Sequence, residues 1–139
     1  MSNKILFVDD EQNLLDAMRR QFRGRFDVST ALGGHEGLRT LKAEGPFAVI
    51  VTDYKMPLMN GLEFLERSRE ISPDSVRIML TGYAEHQTAI DAVEKGHVFH
   101  FLTKPCDSDT LSEALTAALE LHQLGGKLGQ IDDFLKKAA

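Results

Sequence analysis

Ala48-Val49-Ile50-Val51-Thr52-Asp53-Tyr54-Lys55-Met56-Pro57, residues 48–57, is the stretch on which the fold turns. Its first four residues are apolar without alternation, so neither face of the strand they form is left for water. Such a strand belongs in the middle of a parallel sheet covered on both sides. Ile5-Leu6-Phe7-Val8 reads the same way, and both runs stop at aspartate: Asp9 and Asp10 after the first, Asp53 after the second. Working outward, runs rich in Val, Ile, Leu, Phe and Thr at residues 4–8, 26–30, 48–52, 77–80 and 99–103 are expected strands. Stretches of helical period alternate with them, the pattern of an α/β sheet wrapped by helices.

The helical stripes are core faces. Leu14, Leu15, Met18 and Phe22 share one side of the first helix, and Leu111, Ala114, Leu115 and Ala118 share one side of the last. Gly33-Gly34, Gly45-Pro46, Ser72-Pro73 and Gly96 punctuate the segments as turns and helix stops. From Leu121 the apolar residues Leu124, Leu128, Ile131 and Leu135 keep heptad spacing, but Gly125, Gly126 and Gly129 each cost a helix interior about 1 kcal/mol relative to Ala. The expected division is one domain over residues 1–124, then a linker or helical extension over 125–139, with the linker favoured.

The chain has 139 residues, 42% of them apolar, which supplies one ordinary core and too little for two. No basic, apolar and small-residue leader pattern opens it, no run approaches the roughly 20 apolar residues of a membrane span, and the single Cys106 has no internal partner. The expected compartment is the cytoplasm, with no membrane association. A net charge of −5 argues against a nucleic-acid surface, which needs clustered cations. The local group Arg19, Arg20, Arg23 and Arg25 reads as a solvated helix end, and His35, His86, His97, His100 and His122 are scattered without ligand spacing.

Open parallel sheets bind ligands beyond the carboxyl ends of their strands. Those ends here carry Asp9 and Asp10, Asp53, Thr81 and Lys104, so one edge receives three carboxylates, a hydroxyl and an ammonium. Taken singly, Asp9 or Asp10 is an ordinary helix cap. Together they are not ordinary, because two carboxylates 4 to 5 Å apart repel by about 3 to 4 kcal/mol at an effective dielectric of 20. A hard cation would relieve that repulsion, and an oxygen-only donor set suits Mg2+. With it, Asp53 is placed as a nucleophile towards phosphorus, Lys104 offsets charge on the transferring group, and Thr81 donates to one of its oxygens.

Val8-Asp9-Asp10, Thr52-Asp53-Tyr54-Lys55-Met56-Pro57 with Asn60-Gly61, Leu80-Thr81-Gly82-Tyr83-Ala84 and Phe101-Leu102-Thr103-Lys104-Pro105 resemble, in order and spacing, the receiver domain of two-component response regulators. The resemblance runs from about residue 4 to 121. It implies a flavodoxin-like (βα)5 sheet of strand order 2-1-3-4-5 and a switch phosphorylated on aspartate by a sensor histidine kinase or phosphotransfer protein. By position, Asp53 matches the phosphoacceptor, Asp9 and Asp10 the metal-binding pair, and Lys55 the residue whose backbone carbonyl completes the Mg2+ site. Thr81, Lys104 and Phe101 match the switch hydroxyl, the phosphate-binding lysine and the switch aromatic, and Lys104-Pro105 the family's cis peptide. Lys55 and Tyr83 fall where the family sets the rate of dephosphorylation. Activation repacks the face made by the fourth helix, fifth strand and fifth helix, towards an output domain or a second copy. Receivers ahead of hydrogenase-type activators or cyclic-di-GMP phosphodiesterases are the most similar in detail, although Cys106 stands where those often carry an aromatic residue.

Three other readings compete. An Asp-nucleophile phosphatase of the haloacid-dehalogenase type needs a second acid where Lys55 stands. A flavin-mononucleotide binder needs a hydroxyl- and Gly-rich phosphate loop where Asp9-Asp10-Glu11 stands. An adaptor that is never phosphorylated has no need of the acidic set. The chain therefore reads as no enzyme beyond its own phosphotransfer and slow dephosphorylation.

Overall fold

The computed structural model describes residues 3–95 and 98–125, apart from the side chain of Tyr83. Five strands, β1 (Lys4–Asp9), β2 (Asp27–Leu32), β3 (Val49–Asp53), β4 (Val76–Thr81) and β5 (His100–Thr103), alternate with helices α1 (Gln12–Phe22), α2 (Gly34–Glu44), α3 (Gly61–Ile71), α4 (His86–Glu94) and α5 (Ser108–Gln123). The sheet is parallel throughout, in the order β2-β1-β3-β4-β5. This is the flavodoxin-like order that the resemblance implies. The turn expected at Gly96, His97, and the apolar heptad beyond Gly125 lie outside the described residues.

Alternation along each strand divides the core in two. Ile5 and Phe7 of β1, Val49 and Val51 of β3, and Ile78 and Leu80 of β4 pack with Leu15 and Phe22 of α1 and with Leu111, Leu115 and Ala118 of α5. Leu6, Val8, Ile50 and Met79 point the other way, onto Leu41, Phe64, Leu65, Ala89 and Ala92 of α2, α3 and α4. All five residues of β3 are buried, as its unbroken apolar run requires. The helices are not equally anchored: α3 buries Phe64 and Leu65, whereas the fully buried side chains of α4 are Ala89 and Ala92.

Two backbone features hold the carboxyl edge of the sheet in place. Gly33, at φ 85°, closes β2 and turns the chain into α2, in a conformation that a side chain rarely adopts. At the start of α3, Asn60 and Glu63 form a reciprocal capping box, with Glu63 N donating to Asn60 Oδ1 at 2.9 Å. The next residue, Gly61, donates its N–H to Tyr54 O at 2.7 Å, and a Cβ there would lie 2.9 Å from the Tyr54 Cα and closer still to the Asp53 carbonyl oxygen. Only the absence of a side chain lets α3 begin against the backbone that carries Asp53.

Gly61→Ala should therefore destabilise the fold by about 1 to 3 kcal/mol, the usual range for overpacking against unyielding atoms. Denaturant titration of the wild type and the variant measures this, and an unchanged midpoint would show that the α3 start is not the constraint described.

Candidate functional site

The strands bring together every side chain that the sequence assigns to the carboxyl edge. Asp9 and Asp53 end β1 and β3 and are buried, Thr81 ends β4 and is buried, and Asp10 is exposed on the loop after β1. Asp9, Asp10 and Asp53 each offer a carboxylate oxygen within 4.8 Å of the others. Lys104, just past β5, sets its Nζ 3.2 Å from Asp9 Oδ2 and 3.3 Å from Asp53 Oδ1. Thr81 Oγ1 donates to the Gly82 carbonyl at 3.1 Å, and Lys104 N donates to Thr81 O at 2.8 Å, so the hydroxyl and the ammonium ride on adjoining strand ends.

Burial and charge compete here. Desolvation is the largest influence on Asp53 and raises its pKa above 3.8; Lys104 pulls the other way without cancelling it, and Asp10 adds to the rise. Asp9 is raised for the same leading reason, although Lys104 and the Glu11 N–H, 3.0 Å from Asp9 Oδ1, both favour its charge. Burial works against the Lys104 ammonium, but Asp53 and Asp9 outweigh it and hold its pKa above 10.5. The balance leaves the carboxylates short of positive charge.

That shortage is what an oxygen-binding cation would supply. Three carboxylates converging on one point, two of them buried, with no His or Cys in the set, fit a hard divalent ion. Among the described residues this is also the one group of three or more acidic, His or Cys side chains so arranged.

The remaining assigned residues sit around this centre. Lys55 is exposed on the loop after β3, and Tyr83 opens a short 3-10 turn over Tyr83–Glu85. Phe101 is half-buried and packs on the α2-α3-α4 side of the core. The Lys104-Pro105 peptide is cis, and so is Gly45-Pro46, which the sequence marked only as a turn. Cys106 is partly exposed, with its thiol pushed upward by burial and then by Asp107. Asp9 and Asp10 are not the cap of α1; Glu11 holds that position, and α1 has no side-chain cap.

Taken from the sequence, His86 was one of several scattered histidines. In the fold it is half-buried, with Nε2 2.9 Å from Thr103 Oγ1 and its ring edge-on to Phe101 at 5.5 Å. Its position five residues after Thr81 was a signal that only the β4-β5 register could turn into a contact.

Comparison with known proteins gives the family. Residues 5–116 match the family model described as the response regulator receiver domain. The chain belongs to that family. Its relatives include the hydrogenase transcriptional regulatory protein HoxA of Cupriavidus necator, 35% identical over 135 residues, which cover 95% of this chain and 28% of that protein. A solved structure described as an adenylate cyclase from Rhodopirellula baltica is 39% identical, with a TM-score of 0.88 and 99% of each chain covered. A response regulator receiver domain from Clostridium thermocellum is 33% identical with a TM-score of 0.81, covering 88% of this chain and 98% of its own. The chain spans about a quarter to a third of the length of the curated relatives it matches. As a receiver domain it is a signalling module of two-component systems and not a classical enzyme. Among the described residues, no helix is long and apolar enough to cross a membrane.

The raised carboxyl pKa values fix the sign of a pH effect. A folded carboxyl with a raised pKa binds its proton more tightly than the unfolded chain does, so its contribution is fully present below 3.8 and is lost as pH climbs through the raised folded value. The Lys104 contribution has the opposite form: full below 10.5 and lost as pH rises through the raised folded value. In chelator at pH 7, Asp53→Asn should melt higher than the wild type, and the gain should shrink as pH approaches 4. Thermal melts across that range decide, and a variant that melts lower at pH 7 would contradict the charge crowding.

Proposed function

We propose that Asp53 is the phosphoacceptor of this receiver domain and that Asp9, Asp10, Asp53 and the Lys55 backbone carbonyl hold Mg2+. The observation that carries this is the convergence of three carboxylates within 4.8 Å, with Lys104 Nζ 3.3 Å from Asp53. When bound, the ion neutralises charge on the acidic set and on phosphoryl oxygens. An Asp53 carboxylate oxygen attacks the phosphorus of a phosphohistidine on a sensor kinase or phosphotransfer protein. The P–O bond forms as the P–N bond breaks, and the imidazole leaves with its electron pair. Lys104 lies where it can offset charge on the equatorial oxygens, and Thr81 exchanges its bond to the Gly82 carbonyl for one to the new phosphoryl group.

The readout is the α4-β5-α5 face. Phe101 is half-buried there, and Ile90 and Phe99 are exposed large hydrophobics on or beside α4 and β5, a surface suited to an output domain or to a second copy of the chain. The receiver unit extends over residues 1–124, followed by a linker or helical extension that lies, beyond Gly125, outside the described residues. HoxA is named a transcriptional regulator and the Rhodopirellula baltica protein an adenylate cyclase, so chains like this one serve outputs of different chemistry. The chain's net charge of −5 supports protein partners rather than nucleic acid, and the setting we propose is the cytoplasm.

Incubation with acetyl phosphate and Mg2+ should add one alkali-labile phosphoryl group, seen by mass spectrometry, and none should appear in chelator. Asp53→Asn labelled at the wild-type rate would sink the assignment.

The phosphoryl group on Asp53 should also be long-lived. By resemblance, the positions of Lys55 and Tyr83 govern the attacking water, and fast members of the family carry an amide or carboxylate there. A Lys55 ammonium donates only and cannot orient water as a base. Loss of phosphate should quicken in Lys55→Asn and more in Lys55→Asn with Tyr83→Glu; a wild type that hydrolyses faster than both removes the idea.

A further inference from the structure

The segment leaving Thr81 returns to β5 at both of its ends. Thr81 lies beside Thr103 in the β4-β5 register and accepts from Lys104 N. Five residues later, His86 opens α4 and sets Nε2 2.9 Å from the hydroxyl of that same Thr103. A threonine hydroxyl both donates and accepts, so either neutral tautomer of the imidazole completes the bond. The His86 ring also meets Phe101 edge-on, at 5.5 Å between centroids and 73° between planes. One side chain thus touches the residue preceding Lys104, the aromatic of the switch face and, through its own backbone, the first turn of α4.

From this juxtaposition we infer that His86 is a positioning residue that latches the resting state of the switch. The inference rests on the reading of Asp53 as phosphoacceptor. Movement of Thr81 towards a phosphoryl group pulls on the four residues between it and His86, and Glu85 N, which donates to Gly82 O at 3.2 Å, ties that loop into a compact turn with little slack. The pull reaches α4 at His86, where the bond to Thr103 resists it. Phe101 likewise leaves the imidazole edge when it repacks. The latch raises the free energy of the active arrangement relative to the resting one, and removing it shifts the population towards activity without touching Asp53, Lys104 or the acidic set.

Beryllofluoride with Mg2+, a phosphoryl mimic on Asp53, reads that population directly as an affinity. Titration calorimetry on the full chain compares wild type, His86→Ala, Thr103→Val and the double variant, with His86→Gln retaining an amide nitrogen that can reach Thr103. Each single variant should bind about fivefold to tenfold tighter, the range set by one net hydrogen bond. The double variant should bind no tighter than the better single, and His86→Gln should lie near wild type. Singles that bind as the wild type does, or a double variant with additive gains, overturn the latch while leaving the phosphoacceptor reading intact. Wild type that binds no beryllofluoride overturns both. If His86→Ala is unfolded at the assay temperature, Thr103→Val, which replaces only a hydroxyl, decides the question alone.

Discussion

Electrostatic crowding at one edge of the sheet is the constraint to which the rest of this receiver domain is fitted. Asp9 and Asp53 are buried with Asp10 beside them, and a single ammonium, that of Lys104, bridges the two buried members. A protein selected for stability alone would not keep such a set, since like charges at this separation work against folding by several kcal/mol even at a moderate dielectric of about 20. On the proposed reading, that cost is offset when a cation and a phosphoryl group occupy the edge. The apolar strands, the two layers of helices and the tight turns at Gly33 and Gly61 keep those charges from drifting apart.

Rigidity and mobility are distributed accordingly. The acidic side of the site hangs on the fully buried central strand β3 and its neighbour β1, and β3 is locked against α3 by the Asn60-Glu63 capping box and the Gly61 approach. The responsive side is split between Thr81, at the end of the interior strand β4, and Phe101 and Lys104, on and just past the edge strand β5. On the proposed reading, the phosphoacceptor Asp53 sits on the more firmly anchored strand, and Phe101 and Lys104, which would respond to it, sit at the edge strand.

Much of this was legible in the residues themselves. Ile5-Leu6-Phe7-Val8 and Val49-Ile50-Val51 could only be central strands, and the polar residues at their ends marked the site. The boundaries were less legible. β2 runs on to Leu32 where the sequence suggested a stop near residue 30, because Ala31 is a weak strand former and Leu32 is exposed, yet both lie in register against Val8 and Asp9. β4 likewise gains Val76 and Thr81 through pairing with β3 and β5. The contact of His86 with Thr103 joins residues 17 apart in the chain and exists only once β4 and β5 are aligned. The Ser112 hydroxyl, buried in α5 without a hydrogen-bond partner among the described residues, is a polar group that helical periodicity had no means of flagging.

The uneven anchoring of the helices has a consequence for how the domain comes apart. Apolar area buried beneath a helix sets the free energy of peeling it from the sheet, and Ala89 and Ala92 with the partly buried Val93 keep less from water than Phe64 with Leu65, or Leu111 with Leu115. Helix α4 is thus the natural candidate for a separately melting unit, able to open and close many times while the other four helices stay seated. A segment of this kind makes a low-cost hinge between chemistry and binding. Its local opening would uncover only the part of the α2-α3-α4 core face that Ala89 and Ala92 cover, and would leave the face beneath α1 and α5 closed.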